Sequence, residues 1–247
     1  GTSNDQGSGI RLGQSVGGET DHMDRVTAWR FLNPPLAFAQ GMVVNQAGKR
    51  FCNEMVYGAT LGDAMCENNE GKAYLVLDAA LYDEAKKQAS VALPFQRDMA
   101  RMLMYFNSRK KSTIEDLAKV YGIPIEDLSL SLEEYNQSAQ NKMPCKFGKA
   151  AEDVKELKGP FYIMDISIDS KLAPLTTLTL GGLKVNEETG EVLNLEGKEI
   201  RGLYAAGRTA VGVCSNIYVS GLSIADCIFS GRRIGQNLDI KEVNHGI

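Results

Sequence analysis

Apolar residues in this chain come in short runs. The more apolar stretches, such as Met42–Val44 and Tyr74–Leu77, extend for only a few residues before Gly, Pro or polar clusters interrupt them. A membrane-spanning helix needs roughly 18 consecutive apolar residues, so none is expected, and the core must be assembled from short strands and amphipathic helices. The 247 residues suffice for one large domain or two smaller ones, and 43% apolar against 23% charged residues excludes disordered and fibrous classes. Gly1 to Gly9 is small and polar, without the basic segment and apolar core of a targeting signal, which sets a cytoplasmic expectation.

The net charge of −4 comes from 27 basic and 31 acidic residues that are interspersed, so no basic field recruits nucleic acid. Five cysteines without CxxC spacing, and only His22 and His245, argue against a zinc site and a disulfide framework; buried, reduced thiols are expected.

Local patterns predict the elements. Met42–Val44 and Lys49–Phe51 around Gln46-Ala47-Gly48 read as a hairpin, and Tyr74–Leu77 as a buried strand followed by a helix that Asp78 caps, with Leu81, Ala85 and Ala89 on one face. Phe95, Met99, Met102, Leu103 and Phe106 follow helical spacing and read as plain core. Ser112-Thr113-Ile114-Glu115 spells a capping box, Gly122-Ile123-Pro124 a stop, and Ser131-Leu132-Glu133-Glu134 a new helix start. This pair of short helices is not a DNA reader, because Glu133, Glu134 and Asn136 stand where phosphate contacts require Lys or Arg. Phe161–Ile166 is strand-like, Leu183–Asn186 and Glu191–Leu193 flank the turn Glu188-Thr189-Gly190, and Ile200–Ala206 is another strand. Ser223-Ile224-Ala225-Asp226 spells a second capping box before a helix with Ile224, Cys227, Ile228 and Ile234 near one face. Gly231 and Gly235 predict close approach to a neighbouring backbone there.

The segment Gly202-Leu203-Tyr204-Ala205-Ala206-Gly207, a run of small and polar chain, and Ser220-Gly221-Leu222-Ser223 at a helix start resemble the C-terminal flavin-binding segment of the fumarate-reductase-type FAD flavoproteins. Within that family the likeness is greatest to the 3-ketosteroid dehydrogenases. Asn45, Gly48-Lys49-Arg50-Phe51, Asn53-Glu54, Gly181-Gly182 and Gly231-Arg232-Arg233 occur in the family's order. The resemblance implies FAD as cofactor and a helix start, Gly221, Leu222, Ser223 and Ile224, beside the flavin pyrimidine edge. A helix N-terminus favours negative charge there on physical grounds as well. It also implies Gly181, Gly182, Ala206, Gly207 and Arg208 as cofactor-binding residues, Arg208 departing from the acid common after that Gly.

The dicarboxylate-binding Arg and His of fumarate reductases are absent: Tyr218 and Cys214 stand in the loop before the helix, and Thr177-Leu178-Thr179 before the paired glycines. The expected substrate is therefore a small hydrophobic carbonyl compound. The resemblance assigns catalysis to Tyr57, Tyr218, Ser220 and Gly221. Tyr218 and Gly221 would hold a ketone oxygen, Tyr57 would exchange a proton at the α-carbon with Ser220 assisting, and Tyr105 is the runner-up for Tyr57. A tyrosine with the ordinary pKa of about 10 is a poor base at neutral pH, so this role requires a neighbour that eases ionisation. Two alternatives stay open: a fumarate-reductase-like protein for an unsaturated acid, whose remote carboxylate could find Arg11, Arg25 or Arg30, and a silent cap or interaction module.

The implied fold class is α+β, an inserted cap domain plus the C-terminal part of a Rossmann-like FAD-binding domain. Residues 1–41 would be the tail of the first pass, 42–164 the substrate cap, and 165–247 the return, with the active site between cap and flavin domain. The GxGxxG fingerprint is absent, since Gly7-Ser8-Gly9 to Gly13 has the wrong spacing. The chain is thus expected to be the C-terminal half of a flavoprotein whose N-terminal half is needed in cis.

Overall fold

A computed structural model describes residues 6–238; Gly1–Asp5 of the small, polar N-terminal stretch, and His245, lie outside the described residues. The elements are α1 (Ser8–Ser15), β1 (Thr20–Asp21), β2 (Val26–Trp29), α2 (Leu36–Ala39), β3 (Met42–Val44), α3 (Gly58–Asn68), β4 (Tyr74–Asp78), α4 (Ala79–Val91), α5 (Pro94–Met102), β5 (Ser108–Lys111), α6 (Ile114–Ala118), α7 (Ile125–Gln140), β6 (Phe161–Asp165), β7 (Thr176–Thr179), β8 (Gly182–Leu183), β9 (Glu191–Leu193), β10 (Glu199–Tyr204) and α8 (Leu222–Asn237). None of the described helices is long and apolar enough to cross a membrane. The chain forms two compact units, one from Ala28 to Thr176 and the other from the segments ending at Thr27 and beginning at Thr177. These bounds lie outside the expected 42–164 on both sides.

The 28–176 unit is built on an antiparallel sheet in the order β3-β4-β6-β5, with Val43 opposite Leu75 and Val76 opposite Ile163. All of β4 is buried. Leu81, Tyr82, Ala85 and Ala89 of α4 join its core with Phe38, Leu117 and Leu128. Asp78 caps α4 as expected, its Oδ1 accepting from Leu81 N at 2.8 Å. The predicted hairpin has its turn, with Asn45 N donating to Lys49 O at 3.0 Å, but its second strand is only a bridge at Arg50.

Between β3 and α7 lies a buried ionic network. Glu54 is enclosed; its Oε1 accepts from Val43 N (3.0 Å) and Arg50 Nε (3.0 Å), and its Oε2 from Arg50 Nη2 (2.8 Å) and Lys149 Nζ (3.4 Å). Fully buried Lys149 also donates to Gly41 O (2.7 Å) and Tyr135 Oη (2.8 Å), and Tyr135 donates to Gln40 O. Burial lowers the Lys149 pKa despite Glu54. At Arg50 burial also acts downward, but the charge and hydrogen bonds of Glu54 outweigh it and the pKa is raised. Asn45, Gly48, Arg50 and Glu54 of the sequence motif thus have a structural account. Asn45 Oδ1 accepts from Ala47 N and Lys49 N, while Gly48, at φ 74°, presents its carbonyl to Ser131 Oγ at 2.8 Å.

Four local expectations change here. Thr113, not Ser112, caps α6, accepting from Asp116 N at 3.2 Å. Ser131 lies inside α7, which starts behind Pro124, because its hydroxyl serves Gly48 rather than a helix end. The Phe95–Phe106 stripe is not plain core: α5 passes into one π-helical turn, Leu103–Asn107, which shifts the side-chain phase, and Phe95 and Phe106 are exposed while Leu103 is buried. Tyr105 is exposed as well. The thiols are reduced, but Cys66 and Cys227 are exposed.

In the second unit, β1 pairs with β8 and β9 with β10, around a small core of Leu183, Val192, Ala205 and Ala210. The expected turn at 188–190 is closed by Gly190 N donating to Asn186 O at 2.9 Å. Two expectations for α8 fail. Gly221, at φ 89°, is the N-cap rather than Ser223, and added Cβ atoms at Gly231 and Gly235 would meet nothing within 4 Å among the described residues. The helix buries Asp226 and Ser230 and exposes Ile224, Cys227, Ile228 and Phe229, because its inward contact is polar: Ser230 Oγ accepts from Gly207 N at 2.9 Å.

Glu54→Ala should lower the unfolding free energy in urea by about 3–5 kcal/mol, the cost of stranding buried cations. Lys72→Ala, which removes the solvent-facing pair with Asp169, should cost under about 1 kcal/mol. Equal losses would refute the assignment of stability to the buried network.

Candidate functional site

Trp29, Arg30 and Phe31 stand at and after the end of β2, and α3 lies flush against them. A Cβ at Gly62 would collide with the Ala28 carbonyl, and one at Gly58 would stand 2.9 Å from Phe31 Cδ1, so both positions require a residue without a side chain. Tyr57, the N-cap of α3, is thereby set against Trp29 and Phe31. Ring centroids are 6.0 and 6.1 Å away at interplanar angles of 82° and 80°, and Trp29 and Phe31 are themselves 4.9 Å apart, all edge to face. Tyr57 is 36% exposed. From below, Asn53 Oδ1 accepts from Met55 N (2.9 Å) and Glu54 anchors the loop.

Trp29 and Phe31, though not Tyr57 itself, line a cavity of about 420 Å³ whose wall includes Phe38, Phe95, Met99 and Leu103. Arg30 is the one charged residue in that wall. It is 3% exposed, its Nη2 donates to the carbonyls of Ser167 (3.0 Å) and Ala173 (2.9 Å), and burial holds its pKa down to about 10. Such a cavity suits a flat apolar body. Trp29 and Phe31 carried no assigned role in the sequence, and Arg30 only that of one of three arginines a remote carboxylate could find; the signal available was two aromatics flanking an Arg, including the only Trp of the chain.

The remaining predicted residues belong to the other unit. Tyr218 and Cys214 are buried, while Ser220 and Gly221 are exposed. Gly221 turns the chain into α8, and an added Cβ there would meet nothing within 4 Å among the described residues. In the first turn, Leu222 and Ile224 are exposed, and the Ser223 Oγ is buried with no hydrogen-bond partner among the described residues. An open glycine, a helix N-terminus and an orphaned hydroxyl together form a place that fits an electron-rich ring edge.

Gly181 and Gly182 are needed for packing, since Cβ atoms there would lie against the backbone of His22 and Ala210. Gly207 is needed likewise, with its N–H given to Ser230 and an added Cβ 2.8 Å from Cys227 Sγ. Ala206 and Arg208 are half-buried beside it. A wider cavity of about 990 Å³ in this unit, with Lys184, Glu187, Asp226 and Arg233 in its wall, is lined by none of the predicted flavin residues.

Over residues 22–221 the chain matches the family described as FAD binding domain. It is 43% identical over 204 residues to a 3-oxo-5-alpha-steroid 4-dehydrogenase of Comamonas testosteroni, covering 81% of this chain and 38% of that protein. It is 30% identical over 239 residues to a probable fumarate reductase of Shewanella frigidimarina, covering 94% and 38%. The crystal structure of a 3-ketosteroid-Δ4-(5α)-dehydrogenase from Rhodococcus jostii, in complex with 4-androstene-3,17-dione, superposes with a TM-score of 0.79 at 31% identity, covering 94% of this chain and 45% of that one. The chain thus spans less than half the length of these relatives.

Gly221→Val should destabilise the chain by about 1–2 kcal/mol, because a β-branched residue is strained at φ 89°. Ser223→Ala, which deletes an unsatisfied hydroxyl, should leave stability unchanged or raise it by about 1 kcal/mol. Thermal unfolding compares the two, and a large loss from Ser223→Ala would show that the hydroxyl has a structural partner.

Proposed function

The chain belongs to the family of FAD-binding flavoproteins, and from that premise we propose that it acts as an oxidoreductase that introduces or reduces a C=C bond next to a carbonyl, on a 3-ketosteroid-like substrate. The observation that carries this reading is the aromatic cavity beside Tyr57, whose size and apolar wall favour a rigid hydrocarbon body over a small dicarboxylate. The relatives named for steroid substrates point the same way.

Bound FAD supplies hydride exchange, at its N5, with the carbon β to the carbonyl. We assign the pyrimidine edge of the cofactor to Gly221, Leu222, Ser223 and Ile224, and its ribityl and phosphate region to Ala206, Gly207 and Arg208, with Gly181 and Gly182 shaping the backbone nearby. On the substrate side, the Tyr218 hydroxyl and the Gly221 N–H hold the ketone oxygen and stabilise the charge that develops on it, which acidifies the α-carbon. Tyr57 takes or returns the proton at that carbon, and Ser220 assists the transfer. The 28–176 unit is read as the substrate cap, and the other unit as part of the flavin domain. The exposed apolar face of α8, Ile224, Ile228 and Phe229, is where we place the rest of that domain in cis. A cytoplasmic setting agrees with this chemistry.

In the full-length protein supplied with FAD, Tyr57→Phe should lower kcat on a 3-ketosteroid by about 10²–10⁴-fold, with a similar loss for Tyr218→Phe, followed by dye reduction or enone absorbance. Turnover of fumarate without turnover of any steroid would overturn the substrate assignment, and full activity of both variants would overturn the catalytic roles. The 247-residue chain alone should hold FAD weakly; a near-stoichiometric flavin band after purification would overturn that expectation.

A further inference from the structure

Arg30 is an unusual wall residue for an apolar cavity. It is a buried cation whose two hydrogen bonds go to neutral carbonyls, of Ser167 and Ala173, and whose Nε has no hydrogen-bond partner among the described residues. The other two buried cations of this unit, Arg50 and Lys149, both reach the Glu54 carboxylate. The acidic group that acts on Arg30 is Asp165, through charge at a distance, and its Oδ1 already accepts from Ser167 N at 2.9 Å. A buried charge whose counter-ion acts only from a distance is costly, and a carboxylate brought to it gains a charge-assisted hydrogen bond of the strongest kind.

The rest of the cavity says what else such a molecule must carry. Trp29, Phe31, Phe38, Phe95, Met99 and Leu103 offer ring faces and hydrocarbon, and about 420 Å³ is on the scale of a multi-ring ligand. A small dicarboxylate would leave most of that apolar wall uncovered and would bring two charges to one cation.

We propose that this cavity binds a lipophilic polycycle bearing a carboxylate remote from its reacting ketone, and that Arg30 is the residue that selects for the carboxylate. The inference rests on the ketosteroid-like reading above for the reacting end of the molecule, and adds the recognition of the other end. The competing account makes Arg30 a staple for the 167–173 loop through its two carbonyls, and that account is indifferent to the charge of a ligand.

Trp29 is the only Trp of the chain and lines the cavity, so its fluorescence reports binding without flavin or turnover. The probes are a 3-keto-4-ene steroid with a side-chain carboxylic acid, and the methyl ester of the same compound. The unaltered chain should bind the acid at least about tenfold more tightly than the ester, the scale of one charge-assisted hydrogen bond. Arg30→Met should bring the two affinities within about twofold of each other by weakening the acid alone, and Arg30→Lys should keep part of the preference. Equal binding of acid and ester by the unaltered chain overturns the proposal, and that comparison decides it even if Arg30→Met fails to fold. A preference that survives Arg30→Met overturns the role of Arg30. Steroid turnover by the full-length protein without any acid preference refutes this inference alone. An acid preference in a protein that turns over no steroid refutes the proposed reaction alone.

Discussion

The 28–176 unit depends on one enclosed carboxylate. Glu54 ties together a strand, through Val43 N, its own loop, through Arg50, and the chain beyond α7, through Lys149. Two cations meet one anion there, and the surplus charge is taken up by the Gly41 carbonyl, the Tyr135 hydroxyl and aromatic faces. Arg50 lies 4.8 Å from the centroid of Tyr135 and 5.3 Å from that of Phe147. Such a cluster contributes less net stability than its hydrogen bonds suggest, but removing one member leaves the others dry and unpaired. Its practical effect is geometric. Three residues after Glu54 comes Tyr57, so the anchor of the loop is also the anchor of the tyrosine.

The site on this unit is made by absence as much as by presence. Gly58 and Gly62 remove the side chains that would hold α3 away from the backbone of residues 28–31, and the three rings of Trp29, Phe31 and Tyr57 then meet at their edges. Polar chemistry is confined to few points: Tyr57 against the rings, and Arg30, Asn33 and Gln96 in the cavity wall. A hydrophobic ligand would be positioned by shape over most of its surface and by hydrogen bonds only at its ends.

Much of the fold was legible in the sequence because it rests on local signals. Asp78 before Ala79, the turn after Asn45 and the turn Glu188-Thr189-Gly190 each specify a short-range hydrogen bond, and each is present. Boundaries slipped where two residues could cap, as at Ser112 and Thr113. Ser131 misled because a serine that looks like a helix start can equally reach a carbonyl 83 positions away. The Met-rich stripe misled because a π-helical turn changes the period on which the reading depended. The motif residues Arg50 and Glu54 were recognisable, but not their partner Lys149, since nothing local distinguishes a lysine destined for burial from one on a solvated loop. Arg30 was visible only as one of three arginines that a carboxylate could find; its lack of a direct ion pair is a property of packing.

The inverted face of α8 has a consequence for solution behaviour. Its inward side is held by polar contacts such as Gly207 N to Ser230, while Ile224, Ile228 and Phe229 face outward. Salts of the sulfate class strengthen apolar association by being excluded from protein surfaces. On this helix they act where the apolar atoms are, on the outside, so they drive one molecule toward another as well as consolidating each core. The chain should therefore be handled at low sulfate, and light scattering against salt concentration is the natural measure of how strongly this face seeks cover.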